Sequence, residues 1–170
     1  MKRLLLLILA GLLFIPSFMF KMEEASAQWW LFQNPILGKE VQDFTLGDLS
    51  GEQKSFDALR KGQPAILFFW TTWCPHCRIQ LEMLNESADD IEAKGIKIIL
   101  IDLGEDGRKV RRYIDSRNYK FDVLLDENGE AADQFNVEGI PTFVYINKKG
   151  TVLAVEHEII GNYEEILLNE

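Results

Sequence analysis

The chain has 170 residues, with 27 acidic side chains against 18 basic ones and a formal net charge of −9. That length suits one domain with a real core. An acidic globule repels phosphate backbones, so nucleic acid is excluded as an expected partner, and the acidity itself reads as solubility.

Lys2 and Arg3 precede an uncharged run, residues 4–20, and Ala25-Ser26-Ala27 then offers the small-x-small pattern that signal peptidases read. Residues 4–15, ended by Pro16, have the length of a signal-peptide apolar region. The alternative is an uncleaved anchor. Seventeen residues at about 1.5 Å each span roughly 25 Å, against a hydrocarbon core of about 30 Å, with Trp29-Trp30 as interfacial aromatics. Either reading places the rest of the chain outside the cytoplasm, because the positive end stays inside. Neither supplies a Cys near the end of the segment, as a lipoprotein needs. Removing residues 1–27 takes away three cations and two anions, so −9 becomes −10. Residues 28–37 read as a linker and 38–170 as the folded domain.

Within that domain residues 41–46 alternate weakly before Gly47-Asp48 and predict an N-terminal strand or hairpin, with a turn at Ser50-Gly51. Residues 65–70 are continuously apolar after Gly62-Gln63-Pro64, the pattern of a fully buried strand. From Pro75 the period changes: Leu81, Leu84, Ala88 and Ile91 recur at helical spacing until Gly95. Residues 96–103 predict a second buried strand, 107–118 an amphipathic helix, 122–125 a strand and 131–135 a short helix. Residues 142–146 and 151–155 flank Asn147-Lys148-Lys149-Gly150, a hairpin signal. Asn162 can cap a last helix with Glu164 and Glu165 in its first turn. Alternation of strand and helix predicts an α/β fold, a mixed central sheet flanked by helices with antiparallel strands added at the end.

The only two cysteines, Cys74 and Cys77, sit three apart. A structural disulfide is the bland reading, and loop entropy weighs against it. Closing so short a loop stabilises by roughly 2 kcal/mol, against about 4.7 for a hundred-residue loop. The placement favours chemistry. A buried strand runs into Cys74, and Pro75 suits the first turn of the following helix. Cys74 therefore lies at a helix N-terminus, where free N–H groups and the macrodipole stabilise a thiolate. That makes Cys74 the expected exposed nucleophile and Cys77 the resolving thiol. His76, between them, is expected to tune the Cys74 thiolate or else to be a solvated side chain. Trp70 reads as a core filler and Trp73 as the rim where a partner peptide docks. No metal and no cofactor beyond the Cys74–Cys77 pair is expected.

Strand 65–70, then Trp73-Cys74-Pro75-His76-Cys77, and far downstream Gly139-Ile140-Pro141-Thr142, together resemble the thioredoxin superfamily and within it the TlpA/ResA-like redoxins. The segment Gly38-Lys39-Glu40-Val41-Gln42-Asp43-Phe44-Thr45-Leu46 looks like the family's opening motif, and residues 123–135 like its central strand-helix insertion. The resemblance runs from about residue 37 to the end and implies a thioredoxin fold. It also implies exchange with protein thiols and disulfides outside the cytoplasm, a membrane redox partner, and a role in cytochrome c maturation or general disulfide exchange. Carried over, Pro141 is a cis-proline facing the dithiol, and Ile140 offers its backbone to an incoming peptide strand.

Three departures bear on mechanism. Thioredoxins commonly carry a buried acid six residues before the first Cys, where this chain has Phe68. ResA-like members commonly carry Glu three residues after the second Cys, where this chain has Gln80. Pro75-His76 is the dipeptide of the oxidising Dsb-type proteins and points to a centre more oxidising than that of ResA-like reductases. Two other readings compete. A peroxiredoxin-like peroxidase shares the fold and a Thr three residues before the reactive Cys (Thr71), but Leu67 stands where its motif needs proline. A periplasmic copper carrier could use Cys74, Cys77 and His157, since thiolates and imidazole suit Cu(I).

Overall fold

The computed structural model describes residues 34–169. The reading of residues 1–27 as a signal or anchor, with Trp29-Trp30, lies outside the described residues. Among the described residues no helix is long and apolar enough to cross a membrane.

Among the described residues, seven strands form one mixed sheet in the order β2-β1-β5-β4-β3-β6-β7. They are β1 (Thr45–Asp48), β2 (Gln53–Ser55), β3 (Ala65–Trp70), β4 (Lys97–Leu103), β5 (Asp122–Asp126), β6 (Thr142–Ile146) and β7 (Val152–Glu156). Five helices accompany them among the described residues, the last of them after the final strand: α1 (Phe56–Arg60), α2 (Pro75–Ala93), α3 (Gly107–Ser116), α4 (Glu130–Gln134) and α5 (Tyr163–Leu168). Strands β3, β4 and β5 run parallel, which the crossovers through α2 and α3 require, while β6 and β7 continue the sheet antiparallel.

The central strand is buried on both faces, so its residues divide by parity. Ile66, Phe68 and Trp70 share one cluster with Ile98 and Leu100 of β4, Leu81, Leu84 and Ile91 of α2, Val110 and Ile114 of α3, and Leu167 of α5. Ala65, Leu67 and Phe69 face the other way, against Ile99, Ile101, Phe56, Phe135 and Val144. Each fully buried Leu, Ile or Phe contributes about 1.5–3 kcal/mol. The apolar stripe of α2 therefore fixes that helix on the sheet more firmly than helix propensity does.

Several predicted boundaries shift by a residue or two, and those of the first strand shift most. Strand β1 begins at Thr45 and runs through Gly47-Asp48, because Asp43 just before it is used as an acceptor for Ser55 Oγ (2.7 Å) and the Asp57 N–H (2.9 Å). That same knot organises α1, which the sequence reading omits: Ser55 Oγ accepts the Ala58 N–H, and Lys61 closes the helix at φ 52°. Ile36 and Leu37, at the end of the expected linker, pack on the Phe56 side of the core. Asn162 stands at the N-cap of α5, but its side chain makes no capping bond. Instead Tyr163 donates to Asp90 (2.7 Å) and Lys94 bonds Glu164, tying α5 to the far end of α2.

Candidate active site

The site forms where β3 ends. Thr71, Thr72 and Trp73 carry the chain from the buried strand to Cys74, which is the N-cap of α2 with extended backbone (φ −76°, ψ 113°) and Pro75 beginning the first turn. Cys74 and Cys77 are joined by a disulfide, their Cα atoms 5.2 Å apart. The Cys77 N–H donates to Cys74 Sγ at 3.1 Å. A helix-end donor aimed at that sulfur favours charge on it once the disulfide is opened. Of the two cysteines only Cys74 reaches solvent, at 6% against 0%.

Around the pair Pro75 and His76 are exposed, and so is Trp73, at 64% of its surface. On the outer face of α2, Ile79 and Met83 continue this apolar surface one and two turns on. Trp70, by contrast, is fully buried, stacked on Phe68 and tilted against Tyr113.

The second wall comes from the start of β6. Thr142 pairs with Phe69, which places the preceding residues beside the end of β3. The Ile140–Pro141 peptide bond is cis, and Ile140 packs against the cluster that holds both cysteines. Two side chains tie this loop down. Thr142 Oγ1 donates to the Gly139 carbonyl at 2.7 Å, and His157 Nδ1 lies 2.8 Å from the Pro141 carbonyl. A carbonyl only accepts, so Nδ1 carries the proton of that bond. His157, weighed above as a copper ligand, thus has one ring nitrogen committed to the loop.

The two positions that lack the family's acids have packing reasons. Phe68 is fully buried with its ring stacked 4.3 Å from that of Phe143, a place that admits no carboxylate. Gln80 is buried, and its Oε1 accepts the Ile159 N–H at 2.8 Å, holding the chain after β7 against α2. Carboxyl groups stand elsewhere. Glu105, just beyond β4, accepts from both the N–H and the Oγ1 of Thr72 (2.9 Å for the hydroxyl) and pairs with Lys109. Its own N–H donates to Oδ1 of Asp102 at 3.2 Å, and Asp102 is wholly buried. Burial, then the hydrogen bond and charge of Glu105, hold Asp102 far above the ordinary carboxylate range. Although burial opposes it, bonds from Lys109 and Thr72 keep Glu105 below that range. Neither acid stands out in the sequence. Asp102 lies in an apolar run and Glu105 is 33 residues from the loop it grips.

Comparison with known proteins agrees with this arrangement. Residues 37–155 match the AhpC/TSA family. The thiol-disulfide oxidoreductase ResA of Bacillus thuringiensis subsp. konkukian is 34% identical over 137 residues, 79% of this chain and 75% of that protein. A secreted Mycobacterium tuberculosis disulfide oxidoreductase homologous to E. coli DsbE superposes with a TM-score of 0.60 at 28% identity, covering 68% of this chain and 84% of the other. StoA from Bacillus subtilis superposes with a TM-score of 0.60 at 26% identity, covering 74% and 92%. The chain is therefore a thioredoxin-fold thiol-disulfide oxidoreductase that belongs to the AhpC/TSA family and stands with its ResA-like members.

Proposed function

We propose that the chain works outside the cytoplasm, exchanging disulfides with protein substrates through Cys74 and Cys77, with the thiols of apocytochrome c among the substrates and a membrane redox protein resetting the pair. The observation that carries the division of labour is the Cys77 N–H bond to Cys74 Sγ at the solvent-reaching end of α2. In the reducing direction the Cys74 thiolate attacks a substrate disulfide, forms a mixed disulfide and expels one substrate thiolate. Cys77 then attacks Cys74 Sγ, closes the internal disulfide and releases the second thiolate. Run backwards, the same steps oxidise a dithiol.

Trp73 and the backbone before cis-Pro141 are the docking surfaces in this reading: an extended peptide pairs with Ile140, and the ring of Trp73 covers it. Export is supported by Lys2 and Arg3 ahead of the uncharged residues 4–20, and by the secreted relative above.

Trapping tests the assignment. Cys77→Ser in the full chain leaves Cys74 bound to its partners as mixed disulfides, which mass spectrometry names. Stronger trapping by Cys74→Ser reverses the roles of the two cysteines, and partners confined to the cytoplasm overturn the location.

A further inference from the structure

Among the described residues, four buried side-chain polar atoms have no partner: Trp70 Nε1, Thr71 Oγ1, Asp102 Oδ2 and Tyr113 OH. Buried polar atoms are nearly always paired, so their grouping in one place has meaning. Trp70 is the last residue of β3 and stands in register with Asp102 near the end of β4. Laterally paired residues project to the same face of a sheet. That face carries Phe68, Leu100, Cys74 and Cys77 in one cluster. Thr71 follows Trp70 directly, and the Tyr113 ring lies 5.5 Å from that of Trp70. All four residues thus lie about the ends of β3 and β4, beside the segment that leads to Cys74.

Asp102 is the member that can take up or give up a proton near neutral pH. No N–H or O–H points at its Oδ2, and the Glu105 carboxyl lies within hydrogen-bonding reach. Two carboxyl groups bond to each other only when one carries a proton. Glu105 already accepts Thr72 and Lys109, so the proton belongs on Asp102.

We propose that Asp102, poised by Glu105, is the proton acceptor for Cys77 in this chain, taking the place left open by Phe68 and Gln80. The step rests on the dithiol reading above. Cys77–SH gives its proton to the Asp102 carboxylate, and the resulting thiolate attacks Cys74 Sγ in the mixed disulfide. The Cys74–substrate S–S bond breaks, its electron pair leaves on the substrate sulfur, and solvent protonates that sulfur. In the opposite direction Asp102 returns the proton to Cys77. Glu105 is a positioning residue: it holds Thr72, two residues before Cys74, and through its charge sets when Asp102 gives up its proton. The charged groups acting on Asp102 are Glu105 and Lys109; Tyr113 is the other titratable side chain of the cluster. Burial beside Glu105 pushes Asp102 up to about 8, a value suited to exchanging protons with a thiol.

The two steps separate with an aromatic disulfide such as dithionitrobenzoate, read by stopped-flow absorbance on the full reduced chain. Attack by Cys74 releases a first coloured thiolate, and resolution by Cys77 releases a second. Asp102→Asn is expected to slow the second release roughly tenfold or more near pH 8 and to leave the first within about twofold. That gap closes at higher pH, where Cys77 ionises unaided. Glu105→Gln removes the like charge, so its second release reaches full rate at lower pH than in the wild type. An Asp102→Asn protein whose second release follows the wild-type pH profile overturns the proposal. So does one in which both releases fall together, since that marks a structural role. A wild-type chain with no first release refutes the dithiol reading itself, a different failure.

Discussion

A buried acid that serves proton transfer makes folding pH-dependent, and Asp102→Asn isolates that dependence. Asp102 is 0% exposed, so its raised pKa is a property of the folded state alone. An unfolded Asp loses its proton near pH 4, at about 3.9, whereas the folded one keeps it to about 8. Its contribution is fully present below the unfolded value and is lost as pH rises toward the folded one. The limiting slope is about 1.4 kcal/mol per pH unit. Glu105 is shifted the other way, and its contribution is lost only as pH falls through and below the ordinary carboxylate range. Between about pH 5 and pH 8, therefore, Asp102 dominates this pair, and the slope, close to its limit over most of that span, amounts to about 4 kcal/mol. In the variant, Asn Oδ1 keeps the Glu105 N–H, and the amide NH2 presents a donor to the Glu105 carboxylate where Oδ2 had none pointed at it. The variant should match the wild type near pH 5 and exceed it by about 4 kcal/mol near pH 8, or about 12 °C in Tm for a domain of this size. The assay is urea and thermal unfolding of the oxidised protein, whose disulfide-bonded cysteines do not titrate. Parallel stability curves for the two proteins across this range refute the reasoning.

His157→Ala removes the bond to the Pro141 carbonyl, worth about 1 kcal/mol; KM for a protein disulfide should rise roughly fivefold while Cys74 alkylation stays unchanged. Equal KM values separate His157 from docking. Trp73→Ala should alter stability by less than about 0.5 kcal/mol, since the ring is mostly exposed, yet reduce the yield of mixed disulfides trapped by Cys77→Ser. Phe68→Asp, which restores an acid at the thioredoxin position, should fail to fold: losing the buried ring costs about 3–5 kcal/mol before the carboxylate is buried. A folded Phe68→Asp protein by near-UV circular dichroism contradicts this. Titration in glutathione buffers should give a potential above thioredoxin's, about −270 mV, as Pro75-His76 predicts. A value at or below that removes the link between the dipeptide and direction.

What was legible in the sequence follows from how local each signal is. The run Ala65–Trp70 is continuously apolar because both its faces are covered, and the predicted bounds match the strand. Helix α2 was legible from Pro75 and the spacing of Leu81, Leu84 and Ile91, and β6 from the run after Pro141. Helix α1 was not, because five residues hold no period and its start depends on Asp43 reaching Ser55 and Asp57. At the site, Cys74, Cys77 and Pro141 were legible as motifs. The hold of His157 on the loop was not, since its partner is a backbone carbonyl 16 residues away, brought near by the β6–β7 pairing.

The acids show most clearly where reading by position stops. Comparing Phe68 and Gln80 with the family's pattern says only that two carboxylates are absent. It cannot say that a Phe143 ring fills one place and the Ile159 N–H claims the other. Nor does it point to Asp102, which comes to the dithiol's side of the sheet only because parallel pairing sets β4 beside β3 with Trp70 and Asp102 in register. A sheet brings the ends of adjacent strands to one edge, so a group required there can be supplied from either strand. The two sulfurs have no such freedom in the proposed mechanism, because the helix N-terminus that favours a thiolate follows one strand only. Cys74 and Cys77 are therefore fixed in the sequence, while the acid is free to move between strands, and only the register reveals where it has gone.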